Sequence, residues 1–164
     1  MMTEPRIVER TAQPYVALRR TVGIPFGDVV DQTLPRLWRW LESHAIEPAG
    51  PPFFKYDLIK MPDRLEIQFG VPLAAVPAID REIVTGVLPA GRYATLTYHG
   101  PYNQLTAANG ALIDWVRQNA LELDAESTPE GERFACRFES YTNDPREVQN
   151  PADWETVLYY KLRR

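Results

Sequence analysis

The sequence is poor in the residues that build disulfide frameworks, metal centres and membrane spans. Its single cysteine, Cys136, has no partner for an internal disulfide, which favours a reducing cytoplasm. The only two histidines, His44 and His99, lie at spacings that form no metal-binding pattern with it. No apolar run approaches the ~20 residues of a membrane span, and the N-terminus lacks a signal-peptide segment. We therefore expect a cytoplasmic protein without a metal or cofactor.

The numbers of acidic and basic residues are also ordinary. The chain has 18 basic and 22 acidic residues, a net charge of −4, and no basic cluster. This balance argues against direct DNA binding. With 164 residues, of which 45% are hydrophobic and 24% charged, the chain is long enough for one domain, residues 1–164, with a sizeable core.

Two parts of the chain present the same features in the same order. Each has a strand, a turn with glycine and proline, a helix with tryptophan, and an aromatic strand; proline and tryptophan are 15 residues apart between Pro25 and Trp40, and 14 between Pro101 and Trp115. Such a long period predicts a duplicated unit, with 6–73 superposing on 82–162. Two copies meet at a seam, and an aromatic seam is a natural place for a ligand.

Hydrophobic periodicity indicates the elements of each half. Helices are predicted within residues 27–45, with a kink at Pro35, and at about 102–121. Alternating patterns predict the strands, which fall at 6–22, 53–60, 64–73, 82–88, 92–99, 134–142 and 154–162. Residues 74–81 form the predicted connection between halves, and 124–132 a polar, acidic loop. Two helices on one face of a mostly antiparallel sheet give an α+β class.

The second half contains four short motifs in a specific order. They read GRYA at 91–94, HGPYNQL at 99–105, FESYTNDP at 138–145 and WETVLY at 154–159. Together they resemble the GyrI-like small-molecule-binding domains, which also form the effector-binding half of bacterial multidrug-responsive transcription activators. The resemblance covers nearly the whole chain and implies two split β-α-β-β units in one antiparallel sheet, with a ligand cleft at the pseudo-twofold seam. It also implies a stand-alone member, because the domain starts by residue 6.

Glu139 is the first candidate for a functional residue. On the predicted strand it shares a face with Arg137 and Tyr141. The spacing leaves two alternatives open, a surface group that pairs with Arg137 or faces solvent, and a buried acid. The resemblance implies that Glu139 is the pocket glutamate of the family, which meets cationic aromatic ligands. Coulombic attraction and aromatic faces would both favour such ligands. Many members carry a second acid in the closing strand, where this chain has Val157.

The other candidate ligand-binding residues are aromatic. The resemblance implies that Tyr159 of the closing strand contacts the ligand together with Glu139 and Tyr141. Core or surface packing is an alternative for each aromatic residue, and the helical spacing of Trp115 favours packing. The candidates from the repeated strands and helix are Phe54, Tyr56, Tyr93 and Trp115.

Three functions are compatible with these patterns. The first is a stand-alone binding protein for amphipathic aromatic molecules, cations among them, which acts by multidrug binding, sequestration or sensing. The second is a hydrolase of reactive cyclopropane-containing toxins, an activity of some GyrI-like proteins, with Glu139 as general acid/base. The third is a protein-binding module such as a gyrase inhibitor. The first two need the same pocket, and the sequence leaves the natural ligand and the oligomeric state open.

Overall fold

The computed structural model describes residues 1–78 and 81–164, so part of the predicted connection 74–81 lies outside the described residues. The helices are α1 (Gly27–Ser43) and α2 (Leu105–Gln118), and single 3₁₀ turns lie at Tyr102–Gln104 and Pro151–Asp153. The strands are β1 (Arg6–Arg10), β2 (Gln13–Val22), β3 (Phe53–Lys60), β4 (Arg64–Pro72), β5 (Val84–Leu88), β6 (Gly91–His99), β7 (Ala125–Thr128), β8 (Gly131–Phe134), β9 (Arg137–Tyr141) and β10 (Glu155–Lys161).

The predicted α+β class is confirmed, with one large antiparallel sheet and two main helices. Both helices lie within their predicted ranges, and α1 is continuous through Pro35. Two expectations need correction. The predicted strand at 6–22 is two strands, because β1 pairs with β6 whereas β2 pairs with β4 and β5. The predicted loop at 124–132 contains most of the β7–β8 hairpin, whose polar sequence lacks an alternating apolar signal.

The order of strands in the sheet is symmetric about its centre. It runs β1-β6-β10-β9-β3-β4-β2-β5, and β7 and β8 branch from β3. The first half contributes β3-β4-β2 and the second half contributes β9-β10-β6 in mirrored order. The outermost strands are exchanged, since β1 of the first half pairs with β6 and β5 pairs with β2. This arrangement agrees with two fused units, and the superposition of 6–73 on 82–162 stays a prediction.

The register at the central seam identifies the equivalent residues of the two halves. On β3 and β9, Phe54 lies directly opposite Glu139. The predicted twofold axis would pass between these two residues and exchange Tyr56 with Tyr141 and Phe53 with Phe138. Glu139 therefore takes the position that Phe54 takes in the other half.

Packing divides the core between the two faces of the sheet. Helix α1 covers Val16, Leu18 and Val71, and α2 covers a similar group around Leu96 and Leu158. A third cluster, including Tyr15, Phe53, Tyr93 and Phe138, lies on the face without helices. Burying one such side chain contributes roughly 1.5–3 kcal/mol. The seam thus has a helix face, which carries Glu139, and a helix-free face.

Neither helix in the described part of the chain is both long and apolar enough to cross a bilayer.

Candidate functional site

Glu139 lies on the central strand β9 and is only 6% exposed. Its Oε1 accepts hydrogen bonds from the hydroxyls of Tyr141, at 2.6 Å, and Tyr56, at 3.0 Å. Its Oε2 accepts one from Nδ2 of Asn109, at 2.9 Å. Hydrogen bonds to an ionised acceptor are about twice as strong as neutral ones. Three uncharged donors therefore fix the orientation of the carboxylate.

Tyr56 and Tyr141 bind Glu139 from the two halves of the fold. The predicted twofold axis at the seam relates these two tyrosines to each other. Alternation along β3 and β9 places both side chains on the same face of the sheet as Glu139. Burial raises the pKa of both hydroxyls well above the ordinary value, and the negative charge of Glu139 raises it further. Both tyrosines thus remain protonated donors throughout the physiological pH range.

Asn109 connects this site to helix α2. Its Nδ2 also donates to the carbonyl oxygen of Leu105, at 2.9 Å, and its Oδ1 accepts from the hydroxyl of Tyr160. No motif in the sequence points to Asn109 as a functional residue. The signal that could have found it is a polar side chain at helical spacing between the apolar residues Leu105 and Leu112.

Arg137 is not an ion-pair partner of Glu139. Its guanidinium lies over the rings of Tyr160, at 4.5 Å, and Phe134, at 4.9 Å, and its Nη2 reaches Oδ1 of Asn109 at 3.5 Å. Its Nε is buried without a hydrogen-bond partner. Across residues 1–78 and 81–164, no basic group lies within ion-pair distance of Glu139. The ion-pair alternative left open by the sequence is therefore wrong.

Aromatic rings surround the bound carboxylate. The ring centroid of Tyr141 lies 4.7 Å from that of Phe54 and 5.5 Å from that of Tyr102, both with edge-on geometry. Tyr102 in turn lies 4.8 Å from Trp154. We call Glu139, Tyr56, Tyr141, Asn109 and Phe54 the Glu139 cluster. It joins one acid to an aromatic wall.

The remaining predicted residues lie elsewhere. Leu158 is opposite Glu139, so the next residue, Tyr159, points to the helix-free face, where its ring stacks on Phe138 at 4.7 Å. Tyr93 lies on that face too, 6.3 Å from Tyr159. The expectation that Tyr159 walls the Glu139 cleft is therefore wrong, and the hydroxyl of Tyr160 reaches the cluster through Asn109. Trp115 is half-buried against the core under α2.

A second buried polar chain lies on the helix-free face. Lys55 bonds to Oδ1 of Asp57, and Gln68 donates to its Oδ2 at 2.7 Å. Tyr15 donates to Gln68 at 2.7 Å. Burial, followed by the charge of Asp57, raises the pKa of Tyr15 to about 12. Each charge in this chain has a partner, so we assign it to stability.

Within the described ranges, no group of three or more His, Cys, Asp or Glu side chains is placed to hold a metal ion. Two surface cavities have volumes of about 370 and 340 Å³, and Glu139 lines neither of them. The carboxylate of Glu139 is thus nearly closed off from solvent, whereas Tyr56, Tyr141 and Asn109 are partly exposed.

A family model described as the GyrI-like small molecule binding domain matches residues 3–163. The chain belongs to this family. No curated protein matches. The GyrI-like fold is also present in solved structures that share little sequence with the chain.

Three similar solved proteins illustrate this. EcmrR in a complex with DNA has a TM-score of 0.78 and 18% identity, covering 97% of this chain and 57% of that chain. The structure of its C-terminal domain alone has a TM-score of 0.75 and 18% identity, covering 98% of this chain and 98% of that chain. SAV2435 bound to tetraphenylphosphonium has a TM-score of 0.61 and 9% identity, covering 98% of this chain and 94% of that chain. A hydrolase from Listeria innocua has a TM-score of 0.62 and 13% identity, covering 97% of this chain and 91% of that chain. This chain therefore spans just over half of the EcmrR chain in the DNA complex.

Proposed function

We propose that this GyrI-like domain binds amphipathic, aromatic, cationic small molecules at the Glu139 cluster and acts by sequestering or sensing them. The observation that carries the proposal is the environment of the Glu139 carboxylate. It is buried, oriented by three uncharged donors, and has no cationic partner within ion-pair distance among the described residues. Arg137 contacts the cluster through Asn109 and the ring of Tyr56, but it lies beyond ion-pair distance of Glu139. A ligand cation would supply the direct positive partner that the carboxylate lacks.

The energetics favour a particular kind of cation. Opposite unit charges 4 Å apart attract by about 4 kcal/mol at an effective dielectric constant of 20. An aromatic face adds ~0.5–2 kcal/mol for a cation over the ring. Desolvation of the ligand opposes both terms and is smallest for large cations with delocalised or shielded charge. Quaternary phosphonium and ammonium compounds with aromatic groups fit these requirements better than a simple amine.

A ligand can reach the buried carboxylate of Glu139 only if part of the protein moves. The first half of α1 is the segment best suited to move. Phe26, Val29 and Val30 are only half-buried, and they pack against the buried cluster that contains Phe54 and Phe69. No side chain caps this end of the helix, and Pro35 lacks the N–H that would bond to Asp31. Three of the four buried residues of α1 follow Pro35. We infer that residues 27–34 move aside when a ligand enters.

Two comparisons support the choice of ligand and role. SAV2435 was solved with tetraphenylphosphonium, a lipophilic aromatic cation, and EcmrR with DNA. At 9% and 18% identity these neighbours share the fold. They make tetraphenylphosphonium a sensible probe, and they make sensing as reasonable as sequestration. The buried thiol of Cys136 suits a reducing compartment such as the cytoplasm.

The test is calorimetric titration with tetraphenylphosphonium. Removing the charge of Glu139 by Glu139→Gln costs ~2–5 kcal/mol of binding, which weakens Kd at least about thirtyfold. Glu126→Gln, at an exposed acid of β7, is the matched control and should bind like wild type. The neutral analogue triphenylphosphine oxide should bind both proteins equally weakly. Equal affinity of wild type and Glu139→Gln for the phosphonium would refute the proposal.

A hydrolase is the second candidate, and the short contact between Glu139 and Tyr141 favours it. A carboxylate at 2.6 Å from a tyrosine hydroxyl is placed to share a proton with it during acid/base catalysis. Product analysis with electrophilic cyclopropanes tests this function. In an enzyme, Glu139→Gln should lower turnover by about 10²–10⁴, while neutral substrates still bind. Absence of turnover by the wild type would leave the binding function alone.

A further inference from the structure

A cleft of about 340 Å³ lies on the helix-free face, over strands β1, β6 and β10. Alternation puts Arg6, Val8 and Arg10 of β1 on this face, opposite Thr95, Tyr93 and Gly91 of β6. Side chains from all three strands line the cleft, together with Thr3. The full lining is Thr3, Arg6, Val8, Glu9, Arg10, Thr95, Leu96, Thr97, Val157 and Tyr159. We call it the β1 cleft, and it is on the opposite side of the sheet from Glu139.

Arg6 and Arg10 carry the positive charges of the β1 cleft, whose lining also includes the acid Glu9. The guanidinium carbon of Arg10 lies 4.4 Å from the ring centroid of Tyr159 and 5.3 Å from that of Phe138. Within residues 1–78 and 81–164, neither Arg6 nor Arg10 has a carboxylate at ion-pair distance. The guanidinium of Arg10 therefore keeps N–H groups that can donate to an oxyanion.

The registers of the outer strands indicate that packing does not require an arginine at this place. Arg10 pairs with Gly91, and the equivalent pair in the other half is Leu88 with Gln13. Leu88 is 2% exposed and packs in the aromatic cluster of the helix-free face. One half thus closes this position with an apolar side chain, and the other places a cation over Tyr159.

We propose that the β1 cleft binds small organic anions, with a carboxylate, sulfonate or phosphate ester group carried on an apolar body. Arg10 and Arg6 hold the anionic group, with Arg10 in a bidentate geometry, and the hydroxyl of Thr97 adds a neutral donor. Val8, Val157 and the ring of Tyr159 contact the apolar body. The volume is at the lower end of drug-sized sites, which limits the ligand to a compact molecule. This site does not depend on the function proposed for Glu139.

The test uses two fluorescent probes that differ in charge, 8-anilinonaphthalene-1-sulfonate and the uncharged N-phenyl-1-naphthylamine. The wild type should bind the sulfonate more tightly, and the difference should shrink as ionic strength rises. Loss of a charge-assisted hydrogen bond predicts about a tenfold or greater weakening of sulfonate binding by Arg10→Met. Arg6→Met should weaken it less, since Arg6 is exposed. Arg117→Met, at an exposed arginine of α2, is the matched control and should have no effect.

Three further measurements make the outcome decisive. Arg10→Lys keeps the charge without the planar fork, so it should recover part of the affinity if Arg10→Met loses it. Displacement by benzenesulfonate, benzoate and phenyl phosphate ranks the three anionic groups. Amide chemical shifts of Thr95 and Thr97 in wild-type protein titrated with benzenesulfonate should move, and this readout is independent of any variant's folding.

The outcomes also separate the two sites. Glu139→Gln should leave sulfonate binding unchanged, and tetraphenylphosphonium should not displace the sulfonate. Equal binding of the charged and neutral probes, or unchanged amide shifts at Thr95 and Thr97, would overturn the proposal. So would sulfonate affinity in Arg10→Met equal to that in Arg117→Met.

Discussion

Placing a second carboxylate beside Glu139 tests the electrostatic core of the site directly. Nδ2 of Asn109 is 2.9 Å from Oε2 of Glu139, so Asn109→Asp exchanges a donor for an acid of nearly the same shape. Two like charges about 4 Å apart repel by about 4 kcal/mol at an effective dielectric constant of 20. That is a large part of the ~5–15 kcal/mol that stabilises a typical domain. The variant should therefore be strongly destabilised at neutral pH.

The destabilisation should depend on pH in a defined direction. Burial beside a like charge raises the pKa of the introduced carboxyl group in the folded state above its unfolded value. Such a group binds a proton more readily when folded, so stability relative to wild type is highest at low pH and falls as pH rises. One kcal/mol corresponds to about 2–4 °C in Tm for a protein of this size, so a deficit of roughly 8–16 °C is expected at pH 8.

Thermal melting of wild type and variant at pH 5 and pH 8 measures this deficit. Asn103→Asp, at an exposed asparagine in the turn before α2, is the matched control and should show a small deficit at both pH values. The reasoning fails if Asn109→Asp shows the same deficit at pH 5 as at pH 8, or melts like the control. Either result would mean that Glu139 does not carry a buried negative charge beside α2.

Two other predictions concern the helix-free face. Lys55→Met removes the partner of Asp57 and should lower the free energy of unfolding, measured in urea, by roughly 3 kcal/mol. This is the lower end for a broken buried pair, because Asp57 is only partly buried. Lys60→Met, at an exposed lysine, should change the free energy of unfolding little, and equal effects of the two substitutions would contradict the role in stability. Burial raises the pKa of the Cys136 thiol. The native protein should therefore react with a disulfide reagent such as DTNB far more slowly than the protein in concentrated urea. Rapid reaction of the native protein would show that this face opens.

The parts of the site that are local in sequence could be predicted, and those that depend on long-range contacts could not. Strand alternation and the motif around Glu139 correctly place Glu139 and Tyr141 on one face, and the repeat relates Tyr141 to Tyr56. No local pattern shows that Asn109, 30 residues away, donates to Glu139.

The closing strand shows how a single position decides the outcome. It carries two adjacent tyrosines, which point to opposite faces because side chains alternate along a strand. The family motif suggests Tyr159, whereas the register with β9 assigns Tyr160 to the face of Glu139. The β7–β8 hairpin escapes a sequence pattern for a different reason. Its strands lack apolar alternation, and they are joined by a turn in which the hydroxyl of Thr128 donates to the carbonyl oxygen of Gly131.

The position of Glu139 beside the predicted twofold axis has a consequence for how such a fold can acquire a single charge. A symmetric pair of identical halves would place the same residue on both sides of the axis, and side chains directly opposite across two strands have Cβ atoms about 4.5–5.5 Å apart. Two glutamates there would repel each other, and two phenylalanines would offer no charge at all. With both halves in one chain, the pair can be Phe54 and Glu139. Covalent fusion thus allows the two residues that face each other across the central seam to differ, so that one half supplies the acid and the other the aromatic ring.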